Sequence, residues 1–335
     1  MSYHLYAIGN ALVDTEYEVS DAQLLAAGVA KRHMTLIDAD RRTELLKHVH
    51  NATSHRTGGG SAGNTVVALA QLGGRAFYSC RVADDELGDF YTKDLIAHGV
   101  ATNLTHTQAP KGQTGSCLVM VTPDAERSMS TFLGATADID ETALHPHDIL
   151  KAQVYYMEGY LAASPTGSAA AAKGRAIAKA AGVKLATTLS DMSMINFCRG
   201  GLDAMVGSGD LDFLFCNEEE AQVWCGSKDL GAMCAQLGQQ AHTVCLTRSA
   251  KGCLVIEAGE VTEVPAAKVK AIDTNGAGDM FAGAFLYAVT HGHSHAQSAW
   301  LANQAAGTVV SQYGNRLSQV QMDALKADFA RYLVV

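Results

Sequence analysis

The chain has 335 residues, 48% of them apolar, enough for a sizeable core in one large α/β domain with an insertion or in about two domains. The formal net charge is −9 with no Lys/Arg block, which argues against nucleic-acid binding through phosphate contacts. Small charged ligands stay open, because a nest of backbone amides binds an anion even on an acidic protein.

The start of the chain has no basic stretch followed by an apolar core, and no apolar run reaches about 18 residues, so neither a signal peptide nor a membrane span is expected. Eight Cys without C-x-x-C spacing read as buried thiols of a cytoplasmic protein. Taken in order, residues 5–8 predict a strand, 60–72 a helix closed by Gly73 and Gly74, 77–82 a strand, and 87–98 a helix ending at Gly99. Residues 116–122 and 127–133 predict two strands around a Pro123-Asp124 turn. The second half alternates: strand 154–157, an Ala-rich helix 168–181, strands 184–189, 211–216 and 244–247, and a hairpin at 253–264. Alternation of this kind predicts a mostly parallel sheet with helices on both faces. Two segments, about 15–37 and 112–133, break the pattern and suit a small β-rich lid at the sheet's carboxyl edge.

Four motifs bear on chemistry. Asp273-Thr-Asn-Gly-Ala-Gly-Asp279 precedes apolar Phe281, Phe285 and Val289, so a helix starts near Ala277. The amides of Gly276, Ala277 and Gly278 would form an anion hole at the positive end of that helix, with Asp279 in its first turn able to take a proton from a hydroxyl. A side chain at Gly278 is expected to block the anion and to demand a forbidden φ. A plain helix start is the bland alternative. Gly58-Gly-Gly-Ser-Ala-Gly-Asn64 is formally G-x-G-x-x-G, but polar residues 51–57 precede it where a dinucleotide fingerprint needs an apolar strand. It reads instead as a loop close to a small polar ligand. Asn217-Glu-Glu-Glu220 follows a strand and is either a helix cap or a site where Glu220 holds waters around Mg²⁺. Asp14, after the first strand, is either a turn residue or a carboxylate bonded to a vicinal diol. The His291–His295 and His145–His147 clusters read as exposed loops and not as metal sites. There is no Walker A sequence.

With Gly59 to Asn64 early, Asn217-x-x-Glu220 in the middle and Asp273 to Asp279 late, the chain resembles the ribokinase-like (PfkB) carbohydrate and nucleoside kinases over nearly its whole length. Gly9-Asn10-Ala-Leu-Val-Asp14 and Glu126-Arg127-Ser-Met-Ser-Thr-Phe-Leu-Gly134 also resemble bacterial proteins classed as adenosine kinases. The resemblance implies one kinase domain over residues 1–335, ATP with Mg²⁺, and phosphorylation of a nucleoside or sugar by a monomer or homodimer. It implies Asp279 as general base. Asn10, Asp14, Gly59, Gly60, Ser61 and Asn64 would hold the acceptor, and Arg127 would close over the phosphates. Asn217, Glu220, Thr247, Gly252 and Asn303 fall on the nucleotide side. Asp273, Asn275 and Gly314 match positions that hold a monovalent cation, K⁺, in many members. Asn275 stands where Thr is usual, Ser249 where Gly is common, and Leu161 where eukaryotic adenosine kinases carry an aromatic residue. A sugar kinase, an oxidoreductase built on residues 58–63 and a silent nucleoside-binding regulator are the rival readings.

Overall fold

Strands with apolar residues at both odd and even positions must be covered on both faces. Tyr155 and Tyr156, and likewise Leu214 and Phe215, are buried in two different clusters on opposite sides of one sheet. The computed structural model describes residues 2–31, 34–49, 54–124 and 126–334. Its strands are β1 (Tyr3–Ile8), β2 (Leu12–Glu18), β3 (Met34–Leu36), β4 (Ser54–Gly59), β5 (Ala76–Ser79), β6 (Ala101–Thr102), β7 (Gly115–Val121), β8 (Arg127–Phe132), β9 (Ala152–Met157), β10 (Lys184–Thr188), β11 (Leu211–Asn217), β12 (Ala241–Thr247), β13 (Cys253–Glu257) and β14 (Glu260–Val264).

The large sheet has nine strands in the order β14-β13-β12-β11-β10-β9-β1-β5-β6. All neighbours are parallel except β12–β13 and β13–β14. The predicted α/β architecture holds. One face packs on the helices Ser61–Gln71, Ala277–Thr290, His295–Val310 and Gln319–Tyr332, the other on Pro165–Ala180 and the shorter helices after it. The strand expected over residues 77–82 stops at Ser79. The Asn103 side chain takes over the ladder there: it accepts from Cys80 N (3.0 Å) and donates to Cys80 O (2.9 Å).

The second sheet has five strands, β3-β8-β7-β2-β4. It takes in β4, which lies outside the segments 15–37 and 112–133. The part of β4 that precedes the glycines, Ser54-His55-Arg56, is exposed and polar, so it carries no apolar alternation to find. Residues 51–53 of that polar stretch lie outside the described residues. Gly58 and Gly59 thus end a strand of the small sheet, with Gly60 just after it, and do not follow a strand of the central sheet as a dinucleotide fingerprint requires. One face of the small sheet is covered by the helices Asp21–Ala26 and Ala39–Val49 through Leu24, Leu45, Val49, Leu118 and Met120. The register places Asp14, Cys117 and Thr131 together on the opposite face. Asp14 therefore sits inside β2, not in a turn.

Among the described residues no helix is long and apolar enough to cross a membrane. Cys198 and Cys225 are partly exposed, the other six Cys are buried, and all are free thiols.

Candidate active site

The carboxyl ends of β1, β9 and β11 open on one cleft, the usual ligand position of a parallel α/β sheet. The Ala277–Thr290 helix enters it through Gly276, which adopts a left-handed conformation at φ +74°. A Cβ there would lie 2.6 Å from the Asn315 Cβ, so only glycine fits on both counts. Gly278 differs. Its φ is not positive and a Cβ would meet nothing within 4 Å. The forbidden φ expected at Gly278 belongs to Gly276. What Gly278 leaves open is space beside the first-turn amides, which have no acceptor within the helix. Ala277 N alone turns back, to Thr274 O at 3.3 Å.

Asp279 is half-buried in that first turn. Ser61 Oγ donates to its Oδ1 (2.6 Å) and Asn64 Nδ2 to its Oδ2 (3.0 Å). Both donors come from the Ser61–Gln71 helix. The two helices approach closely because Gly283 has no side chain: a Cβ would sit 2.6 Å from Thr65 O and 2.7 Å from Ala68 Cβ. Burial pushes the Asp279 carboxyl up to about 6, against the two hydrogen bonds and the charge of Arg316, which pull it down. A carboxylate near neutrality suits general base chemistry.

The glycine loop is fixed from beneath. Gly60 holds φ +83° and any Cβ would collide with the Asn10 carbonyl oxygen. Tyr91 OH donates to Gly59 O and Tyr78 OH to Asn10 O, both at 2.9 Å. A buried carboxylate, Glu158, accepts from Ala62 N (2.8 Å), Asn10 Nδ2 (2.8 Å) and Asn10 N (3.3 Å). Burial raises its pKa to about 7. Asp14 is likewise pushed up to about 7 by burial, with Arg316 opposing. It lies over Gly59, whose Cβ would be 2.5 Å from its Oδ1, and accepts from Asn315 Nδ2 (3.1 Å).

Arg127 leaves the small sheet and pairs with Glu16 (2.5 Å) and Asp273 Oδ2 (2.8 Å), lying 5.5 Å from the centre of the Tyr313 ring. Asp273 also accepts from Asn275 N and Gly314 N, each at 3.1 Å. The three residues matched to a monovalent-cation site do meet. Their carboxylate already bonds two amides and a guanidinium.

On the far side Asn217 caps the Glu218–Cys225 helix and Glu220 caps Asn217 in return. The capping alternative is therefore realised. Glu220 is nonetheless buried and pairs with no Lys or Arg among the described residues, while Asp191 and Glu219 add negative charge; burial first, then these neighbours, raise it to about 7. Such a carboxylate fits a hydrated divalent cation. Thr247 faces Asn217 in register and its Oγ1 donates to Cys216 O (3.4 Å). Gly252 holds φ +87° and could not carry a Cβ past Val264 O. Asn303 is buried, with its NH2 donating to Val264 O (3.0 Å) and Pro265 O (3.1 Å), so it shapes this wall through the main chain. Ser249 holds φ +50°, a strained position that glycine would occupy freely.

A family model described as "pfkB family carbohydrate kinase" matches residues 29–322. The chain belongs to the PfkB carbohydrate kinase family. It is a small-molecule kinase with a ribokinase-like α/β fold. A crystal structure of adenosine kinase from Sinorhizobium meliloti is 35% identical, with a TM-score of 0.86, covering 98% of this chain and 100% of that one. Adenosine kinase of Schizophyllum commune is 27% identical over 348 residues, covering 93% of this chain and 96% of its own. Ribokinase of Mus musculus is 27% identical over 239 residues, covering 68% and 70%.

Four residues of this PfkB kinase's cleft escaped the sequence reading. Glu158 follows β9 directly, as Asn217 ends β11, and that position was the available signal. Asn315 and Arg316 carry no motif, and Thr136, which donates to Asn10 Oδ1 (3.3 Å), sits in a short 3₁₀ turn. The histidines form no metal cluster among the described residues. His145 is not an exposed loop residue: it is half-buried, 5.3 Å from the Phe77 ring and 3.7 Å from Asp148.

Proposed function

We propose that this kinase transfers the γ-phosphoryl group of ATP to the 5′-hydroxymethyl group of a ribonucleoside. The observation that carries the reading is Asp279: a carboxylate of raised pKa, held by Ser61 and Asn64, in the first turn of a helix entered through a left-handed glycine. Asp279 takes the hydroxyl proton as the oxygen attacks in line. The Gly276, Ala277 and Gly278 amides hold the transferring group, and ADP leaves. Hydrated Mg²⁺ near Glu220, with Asn217 beside it, would neutralise phosphate charge when bound. The small sheet acts as a lid that excludes water, with Arg127 at its inner edge beside the anion hole. The named adenosine kinases, which match nearly the whole chain, support a nucleoside as the acceptor.

A sugar kinase with the same machinery is the second reading. It is favoured by Leu161, which is fully buried in the core and offers no aromatic platform for a base.

Asp14 reads the ribose diol. Charge-assisted hydrogen bonds contribute about 1.5–3 kcal/mol each, so Asp14→Ala raises the acceptor KM by about tenfold or more and leaves the KM for ATP alone. A 2′-deoxynucleoside lacks one of these bonds and loses less. Comparing kcat/KM for two proteins and two substrates tests this, and equal losses for both substrates would make Asp14 a structural residue.

The base also sets a pH profile. With its pKa near 6, Asp279 becomes protonated below that point, and kcat falls about tenfold per pH unit. A kcat that stays flat down to about pH 4, the ordinary aspartate range, would contradict the raised pKa of Asp279.

A further inference from the structure

Arg316 lies on the segment between the His295–Val310 and Gln319–Tyr332 helices, far along the chain from both motifs of the cleft. Its side chain is only 10% exposed. It reaches two elements at once. NH1 pairs with Asp94 Oδ2 (2.6 Å) on the Glu86–Ala97 helix, and Nε donates to Asn64 Oδ1 (3.2 Å). Its NH2 is buried with no hydrogen-bond partner among the described residues. A buried guanidinium with an unmatched donor is a poor choice for stability alone, since each orphaned donor carries a desolvation penalty.

The orientation of Asn64 explains the choice. An amide side chain presents an oxygen at one edge and NH2 at the other, and a flip exchanges them. Arginine has only donors, so it accepts Asn64 in one orientation, with the oxygen toward the guanidinium. The NH2 is then forced onto Asp279 Oδ2, where it is found at 3.0 Å. In the flipped orientation the amide oxygen would face the carboxylate and NH2 would face Arg316, both repulsive.

We propose that Arg316 is a positioning residue for the reaction: braced by Asp94, it locks the Asn64 amide so that Asn64 and Ser61 together fix the direction of the Asp279 carboxylate. The inference rests on the reading of Asp279 as the base. Asp94, Arg316, Asn64 and Asp279 then form one chain of contacts across four separate segments. Its loss misaims the base without touching the nucleotide side.

The test is a double-mutant cycle, with steady-state rates on the best acceptor among adenosine, inosine, ribose and fructose. Arg316→Met lowers kcat by about 10- to 100-fold with the KM for ATP unchanged, the scale on which misplaced groups act. In an Asn64→Ala background the same substitution costs less than about twofold more, because the two residues act through one interaction. Arg316→Lys keeps the charge but cannot span Asn64 and Asp94, and it shows the same pattern should the Met variant fail to fold. A residue of purely structural importance lowers the thermal midpoint and loses rate equally in both backgrounds. Wild-type kcat in the Arg316 variants, or losses that multiply with Asn64→Ala, overturns the proposal. Full activity of Asp279→Asn overturns instead the base reading beneath it.

Discussion

Asp279→Asn lowers kcat by about 10²–10⁴-fold, the usual scale for a lost general base, while folding and nucleotide affinity survive. The structure explains why the variant folds. Asn has the shape of Asp, with one oxygen and one NH2 in place of two oxygens. Ser61 and Asn64 both donate to Asp279, so one must meet the new NH2. Ser61 can, because its hydroxyl rotates and accepts. Asn64 keeps its acceptor. The variant therefore loses the ability to take a proton and little else. Steady-state kcat and ATP affinity, read beside the thermal midpoint, check this. Near-wild-type kcat in a folded variant contradicts the assignment.

Gly278→Val gives a folded protein with kcat/KM lowered on the order of 10²–10³-fold, comparable to losing an oxyanion donor. A Cβ at Gly278 meets nothing within 4 Å, so no protein atom resists it. The same opening is where a phosphoryl group must approach the first-turn amides, and a branched side chain fills it. Gly276→Val behaves differently. It forces a side chain into a φ of +74° and against Asn315, so the protein loses stability as well as activity. The pair of thermal midpoints separates the two effects. A Gly278→Val enzyme with unchanged kcat/KM places the phosphoryl group elsewhere.

The central sheet was legible because most of its strands carry buried apolar runs and alternate with helices bounded by Gly, Asn and Ser. Asn217 caps the helix that follows it. The glycine motifs were legible because backbone close approach leaves a chemical trace: Gly60 and Gly276 cannot be anything else. The small sheet was legible only in part. Its edge strand β4 is polar where it faces solvent, and its partner β2 contributes an Asp and a Glu to the cleft, so neither shows a clean alternation of apolar and polar residues. Glu158, despite its place at the end of β9, and Arg316 were missed for a different reason. Each acts by contact with side chains or amides far away in sequence, Glu158 through Asn10 and Ala62, Arg316 through Asn64 and Asp94. No local pattern records such partners. Asp273 shows the limit of a matched motif: the residue stands where the resemblance places it, but Arg127 occupies its carboxylate.

The central claim is phosphoryl transfer from ATP to a ribonucleoside 5′-hydroxyl. It is tested most directly by incubating the purified protein with ATP, Mg²⁺ and, separately, adenosine, inosine, ribose and fructose, and following ADP release together with the phosphorylated product. The account predicts the highest kcat/KM with a nucleoside, a 5′-monophosphate as product, and no turnover in Asp279→Asn beyond its residual rate. Turnover of ribose or fructose with no nucleoside phosphorylated, or ADP release that does not depend on an acceptor, contradicts it.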